Sequence, residues 1–238
     1  MSFPERLSLP LTIIVFCLAA FGGGEAACPE VTLTREVLND GFHRDLISKM
    51  ELGAIIEHTA DCRVMIKERL PSGLYVDPYQ LASMQQHNVT EVLILDSIDV
   101  EAPEYLSMEH TLFVYAKPDP KCAGCFSAVV PIHIRYHQPS EEREEALVIL
   151  PSPQLLVRCK TDLLLEMCHM HLEDAPCSVR DKTACHWTDV TFKPVPEVVL
   201  QVPVGLKQHG FMVCTVTILV TLFCSVMIFA AVWKHGQF

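Results

Sequence analysis

From Phe211 to Trp233 the chain reads "FMVCTVTILVTLFCSVMIFAAVW", 23 residues without a charged side chain. At about 1.5 Å of rise per residue, a helix of that length crosses a hydrocarbon core of about 30 Å. Only "KHGQF" lies beyond it. A cleaved GPI-anchor tail also ends in an apolar run, but here Lys234 and His235 follow, and "VGLKQHG" before it offers no clear run of small residues. The expectation is a retained transmembrane helix over 211–233 with a cytosolic tail of 234–238.

The opposite end carries a second apolar run. After Arg6 come "LSLPLTIIVFCLAAF" and then the small residues of "GGGEAAC". This is the layout of a secretory signal peptide, residues 1–26, with cleavage after Ala26 or Ala27. The core is short and broken by Pro10, which argues against a stop-transfer helix. With the signal removed and Lys234 on the cytosolic side, the orientation is type I, and residues 27–210 are lumenal or extracellular.

Those 184 residues carry the acidic balance. Taking Arg6, Lys234, Glu5 and Glu25 from the chain totals of 18 Lys+Arg and 29 Asp+Glu leaves 16 against 27, a net of −11. Such a surface repels phosphate backbones and anionic head groups, so no nucleic-acid partner is expected. Cysteine usage fits an oxidising compartment. Cys17 falls in the signal and Cys214 and Cys224 in the span. Eight remain, Cys28, Cys62, Cys122, Cys125, Cys159, Cys168, Cys177 and Cys185, as candidate disulfide cysteines. Eight allow 105 complete pairings, among which the sequence does not choose. One sequon, Asn88-Val89-Thr90, marks Asn88 as an N-glycosylation acceptor.

Period-two alternation dominates this domain. In "CRVMIKERL", Cys62, Val64 and Ile66 fall on one side and Arg63, Lys67 and Arg69 on the other. "AVVPIHIRYH" sets Val130, Ile132, Ile134 and Tyr136 against Pro131, His133, Arg135 and His137. "WTDVTFK" and "VVLQVPV" alternate likewise, and "LISKMEL", "EVLILDSI", "TLFVYAK" and "ALVIL" are further strands. The expected fold is all-β, a β-sandwich-like domain with a minor helix, plus the C-terminal transmembrane helix. Pro131 and Pro203 each mark an edge or a bulge, and "PSEEREEA" reads as an exposed loop.

The stretch "LPSGLYVDPYQL" is a corner. Pro71-Ser72-Gly73 supplies a turn, with glycine free to take φ > 0. Asp77 then N-caps a short helix reaching Gln86, with Pro78 at its first position and Gln80 as capping-box partner. Tyr75 and Tyr79 are candidate partner contacts.

Several patterns invite a chemical reading. Cys122-Ala123-Gly124-Cys125 spells a redox C-x-x-C, but reactivity needs a lowered thiol pKa, usually from a helix N-terminus in a βαβ unit, and here a strand-like run follows. A structural disulfide is favoured over a thiol oxidoreductase. His133 and His137 on one strand face would stand about 13 Å apart, too far to share an ion. His169 and His171 could converge but lack a matching partner motif, so no metal site and no cofactor is predicted. A G-x-S-x-G elbow is missing, and "DSID" and "PDP" lack the D-x-D spacing that holds an ion against a nucleotide sugar. No catalytic residue is assigned. In the span, Thr217, Thr221 and Ser225 recur every four residues and form a candidate partner face. The competing reading is that these hydroxyls bond their own backbone and face lipid.

Four segments, "LPSGLYVDPYQLAS", "VEAPEYL", "PIHIRYHQPS" and "LQVPVGL", resemble the phosphatidylinositol-glycan biosynthesis class X (PIG-X) family, from about Arg44 to the C-terminus. The resemblance implies a single-pass type I protein of the endoplasmic reticulum membrane. It implies a non-catalytic subunit that binds and stabilises PIG-M, the multi-span mannosyltransferase adding the first mannose to the GPI precursor from dolichol-phosphate-mannose. The residues alone also admit a cell-surface adhesion or receptor-like protein, or a lumenal thiol enzyme using Cys122 and Cys125.

Overall fold

The computed structural model describes residues 30–53, 62–160 and 171–236. The expected signal peptide and three of the singled-out side chains, Cys28, Cys168 and His169, lie outside the described residues. The elements are β1 (Thr32–Leu38), β2 (His43–Glu51), β3 (Cys62–Leu70), β4 (Leu74–Tyr75), α1 (Pro78–Gln86), β5 (Val92–Ile94), β6 (His110–Pro118) and β7 (Cys125–Ile134). They continue with β8 (Glu145–Leu150), β9 (Gln154–Cys159), β10 (His171–Pro176), β11 (Ala184–Asp189), β12 (Val198–Pro203) and α2 (Gly210–His235). The protein is mostly β-sheet with one long apolar helix at its C-terminus, as its alternation predicts.

Every named strand pair is antiparallel. One group runs β1-β2-β7 with β4 on the far side of β7; the other runs β6-β3-β9-β11-β10 with β5 beside β6. The groups join where the β6–β7 hairpin closes, at Lys117 opposite Ser127 and Pro118 opposite Phe126. Their inner faces share one core, with Leu46, Met50, Phe126 and Ile132 meeting Val64, Ile66, Leu112 and Val157. The separate β8–β12 ribbon closes this core with Val148, Leu150, Leu200 and Val202. Pro131 pairs with Asp45 on β2, while on the other side β7 pairs with β6 only at Phe126 and Ser127 and with β4 only at His133 and Ile134. The missing proline donor thus falls in a gap.

A second, smaller core differs from the simple alternating picture. Met65 of β3 faces away from the main core yet is fully buried, packed with Phe113, Tyr115, Leu156 and Trp187. Tyr115 donates its hydroxyl to the Pro176 carbonyl at 2.9 Å, and Trp187 donates Nε1 to the Ala175 carbonyl at 3.2 Å. The Trp187 bond lies within the β10–β11 hairpin, whereas β6 and β10 are not sheet neighbours, so the Tyr115 bond requires that hairpin to fold over the outer face. Disulfides fasten the arrangement: Cys62 to Cys159 across β3 and β9, Cys177 to Cys185 at the mouth of the hairpin, and Cys122 to Cys125 in the β6–β7 loop.

α1 begins as its sequence dictates. The Asp77 carboxylate accepts from the Tyr79 N–H at 2.8 Å, and Pro78 takes the first position, where no backbone donor is needed. Gln80 departs from the capping-box expectation. Its Oε1 lies 2.9 Å from His133 Nε2 instead, which ties the helix to β7.

Candidate functional site

The four segments that carry the family resemblance meet around the point where the β-rich domain gives way to the long apolar helix α2. Arg135 organises the meeting. β7 ends at Ile134, so the alternation fails beyond it: Arg135 is buried and Tyr136 exposed, the reverse of the expectation. Arg135 Nη1 donates to the carbonyls of Asp99 and Ala102, at 2.7 and 2.6 Å, gripping the loop that contains "VEAPEYL". Its guanidinium lies over the Tyr75 ring at 4.7 Å, and its N–H donates to the Gly73 carbonyl. Glu104 N–H donates to the Tyr136 carbonyl, and Ser72 Oγ donates to the Glu104 carboxylate at 3.2 Å. Gly73 itself does not use a left-handed φ. It is small because a Cβ there would lie 2.7 Å from Val148 Cγ2, so the turn seats directly on β8.

The fourth segment is tied in through Ser140. Its N–H donates to the Gly205 carbonyl at 2.9 Å, and its own carbonyl accepts from Lys207 N–H at 2.8 Å. Val204 N–H reaches the Glu144 carbonyl, and Lys207 Nζ pairs with Glu141 at 3.2 Å. The acidic loop "PSEEREEA" is exposed, as expected, and also buttresses residues 204–209, the neck from which α2 departs.

α2 spans 26 residues, about 39 Å at about 1.5 Å each, enough to cross a bilayer. Thr221 Oγ1 donates to the Thr217 carbonyl and Ser225 Oγ to the Thr221 carbonyl, each at 2.8 Å. These two hydroxyls are satisfied inside the helix, so what the Thr217, Thr221 and Ser225 ridge offers a neighbour is chiefly its small size. Close to the neck in sequence, the outer face of the β8–β12 ribbon exposes Leu147, Ile149 and Val199, with Ile149 directly opposite Val199. The alternation of "ALVIL" and "VVLQVPV" places these three on the side away from the core, a signal that goes unused when only the inward residues are counted.

The remaining candidates are dispersed. Cys122 and Cys125 are bonded in a hairpin loop with Gly124 at φ 81°, and strand β7 begins at Cys125. His133 sits in a row across three strands, 4.4 Å from the His43 ring and 5.0 Å from that of Tyr75; burial, then His43, hold its pKa below the ordinary imidazole value. His137 lies past the strand, its Nδ1 3.0 Å from the Arg135 carbonyl, and His171 is exposed at the start of β10. Among the described residues, no group of three His, Cys, Asp or Glu converges as a metal site would require. Asn88 is exposed with φ 55°, and its side-chain oxygen accepts from Lys117 Nζ at 2.9 Å. Tyr79 is exposed on α1, and Tyr75 is half-buried.

A β-rich domain joined through a bonded neck to a helix long and apolar enough to cross a membrane, one such helix among the described residues, defines the class: a β-rich membrane protein. The chain belongs to the PIG-X / PBN1 family, whose model matches residues 39–233. It is 45% identical over 219 residues to the human "GPI alpha-1,4-mannosyltransferase I, stabilizing subunit", covering 91% of this chain and 85% of the relative. The mouse protein of the same description is 41% identical over 229 residues, 94% of this chain and 90% of the relative. No solved structure matches.

Proposed function

We propose that this chain is the stabilising, non-catalytic subunit of GPI mannosyltransferase I, and that it binds the multi-span subunit PIG-M, which adds the first mannose to the GPI precursor. The observation that carries this is the 45% identity over 91% of the chain to a human protein described as that stabilizing subunit. The geometry supports it: a structured neck joins the ectodomain to the helix, so a contact made in the membrane and one made outside it reinforce each other.

In this reading residues 1–26 are a signal peptide, 27–210 the lumenal domain, 211–233 the span and 234–238 a cytosolic tail, in the endoplasmic reticulum membrane with type I topology. Thr217, Thr221 and Ser225 pack against a PIG-M helix, and Leu147, Ile149 and Val199 against its lumenal loops. Asn88 carries a glycan.

Depleting the protein and measuring PIG-M abundance and first-mannose transfer tests the proposal, which predicts that both fall; normal levels of both would refute it. Replacing Thr217, Thr221 and Ser225 together by leucine should reduce co-purification of PIG-M, and undiminished co-purification removes the ridge from the interface. Sensitivity of the Asn88 glycan to endoglycosidase H is expected for early-secretory retention.

A further inference from the structure

Four exposed apolar side chains crowd the end of the ectodomain nearest α2. Tyr105 is 53% exposed, Leu106 72%, Met108 72% and Tyr136 74%. Tyr105, Leu106 and Tyr136 are held in place, and Met108 follows two residues after Leu106. Tyr105 and Leu106 sit on a 3-10 turn whose first N–H is bonded to the Tyr136 carbonyl, Ser107 Oγ closes the turn on the Pro103 carbonyl at 3.0 Å, and the Tyr136 ring packs 5.1 Å from Phe42. Arg135 fixes the approach to this turn through Asp99 and Ala102. Apolar groups presented on so rigid a backbone invite an explanation other than idle exposure.

Their position identifies what covers them. Tyr105, Tyr136, His137 and Lys207 line a single recess of about 330 Å³. Lys207 precedes Phe211, the first residue of the apolar run, by four positions, about 6 Å of helical rise. The recess therefore opens at the level where head groups begin. The two tyrosines share the recess with Lys207, and the exposed Leu106 and Met108 follow Tyr105 closely in the chain, a mixed aromatic and aliphatic set of the kind that partitions into a membrane interface.

Charge narrows the lipid. Lys207 is engaged with Glu141, and Glu142, Glu144 and Glu145 stand exposed on the same buttressing loop. Anionic head groups would be repelled. We propose that Tyr105, Leu106, Met108 and Tyr136 form a footing that inserts shallowly into the zwitterionic leaflet on the ectodomain's side. The footing sets the ectodomain at a fixed height and tilt. It rests on the reading of α2 as a membrane span.

The test uses the full chain with Cys214→Ser and Cys224→Ser, and with Met108→Cys or, separately, Leu106→Cys, carrying an environment-sensitive fluorophore. The same chain retaining Met108 and Leu106 corrects for label elsewhere. In phosphatidylcholine nanodiscs the probe should emit at shorter wavelength than in water and be quenched by lipids with a nitroxide at a shallow acyl position. Replacing part of the phosphatidylcholine by phosphatidylserine should weaken both signals. A water-like, unquenched probe on a chain retained in the disc overturns the footing alone. A chain not retained overturns the span reading with it. Signals that strengthen with phosphatidylserine overturn the zwitterionic assignment. Shielding that arises only when the catalytic subunit is co-reconstituted assigns the surface to a protein partner and also overturns the proposal.

Discussion

Two arginines are withdrawn from water in different regions, and they do different work. Arg35 lies on the inward face of β1 between Leu33 and Val37, its side chain 0% exposed, paired with Glu68 of β3, 2% exposed. Arg135 sits beyond the end of β7, 2% exposed, and donates to two loop carbonyls. The first closes one sheet on another with a charge pair inside the main core. The second braces the loops that present the outer surface beside the neck. Breaking the first should unfold the domain, whereas breaking the second should leave the sandwich standing and release its working surface.

The largest effect should come from the core pair. In Glu68→Leu the Arg35 guanidinium, which cannot shed its proton, is left buried and unpaired at a cost of about 3–5 kcal/mol. Denaturant unfolding of the full chain in detergent reads this directly. Arg35→Leu with Glu68→Leu should recover most of it, because two apolar groups replace the whole pair. A double variant as weak as the single would deny the pair its role.

The same pair makes core stability depend on pH. Burial pushes the Glu68 carboxyl up to about 7 against the pull of Arg35. A raised carboxyl binds its proton more tightly in the folded state, so its contribution is fully present below about 4.5 and is lost as pH rises through about 7. Unfolding midpoints should therefore decline across that window and flatten in Glu68→Gln. Arg135 does not itself titrate in this range, and its influence there runs the other way: burial, then Arg135, hold the His110 imidazole below its ordinary value, a contribution that is lost as pH falls.

At the neck, Arg135→Met removes two charge-assisted bonds and should cost about 2–3 kcal/mol. Hydrogen exchange should quicken in residues 99–108, while the main core keeps its protection. Arg135→Lys keeps the charge but not the planar group over Tyr75, so only partial recovery is expected. Exchange that quickens evenly over all strands would erase the distinction between the two regions.

How much of this was legible follows from where each residue's environment departs from its pattern. β3 and α1 could be read because their signals are local: alternation from Cys62 to Leu70, and an Asp-Pro helix start. β1 was missed because Arg35 occupies an inward position and breaks the apolar rhythm of "TLTREVL". β9 was missed because Leu155, Leu156 and Val157 are buried on both faces and do not alternate. On β3 the same period that buries Ile66 and Leu70 buries Glu68, yet a glutamate between Lys67 and Arg69 reads as surface. At the neck the family resemblance marked the right segments, but their convergence rests on backbone bonds between distant residues such as Ser140 and Gly205, which have no sequence signature. Gln80 had two good partners, and the tertiary one, His133, won.

The smallest expected effect decides to which region α1 belongs. Its cap, the Asp77 carboxylate on Tyr79 N–H, should lose about 1 kcal/mol in Asp77→Ala and almost nothing in Asp77→Asn, since an amide oxygen caps equally well. α1 sends Leu81 into the main core and Gln80 to β7, yet its preceding turn leans on the Arg135 cluster. If the helix is part of the core, the losses in Asp77→Ala and Arg135→Met should add, because the two sites then weaken separate units. A combined loss clearly smaller than the sum would mean that releasing the neck already releases the cap. In that case α1 would belong with the loops that Arg135 holds, and Tyr79 with the surface they present.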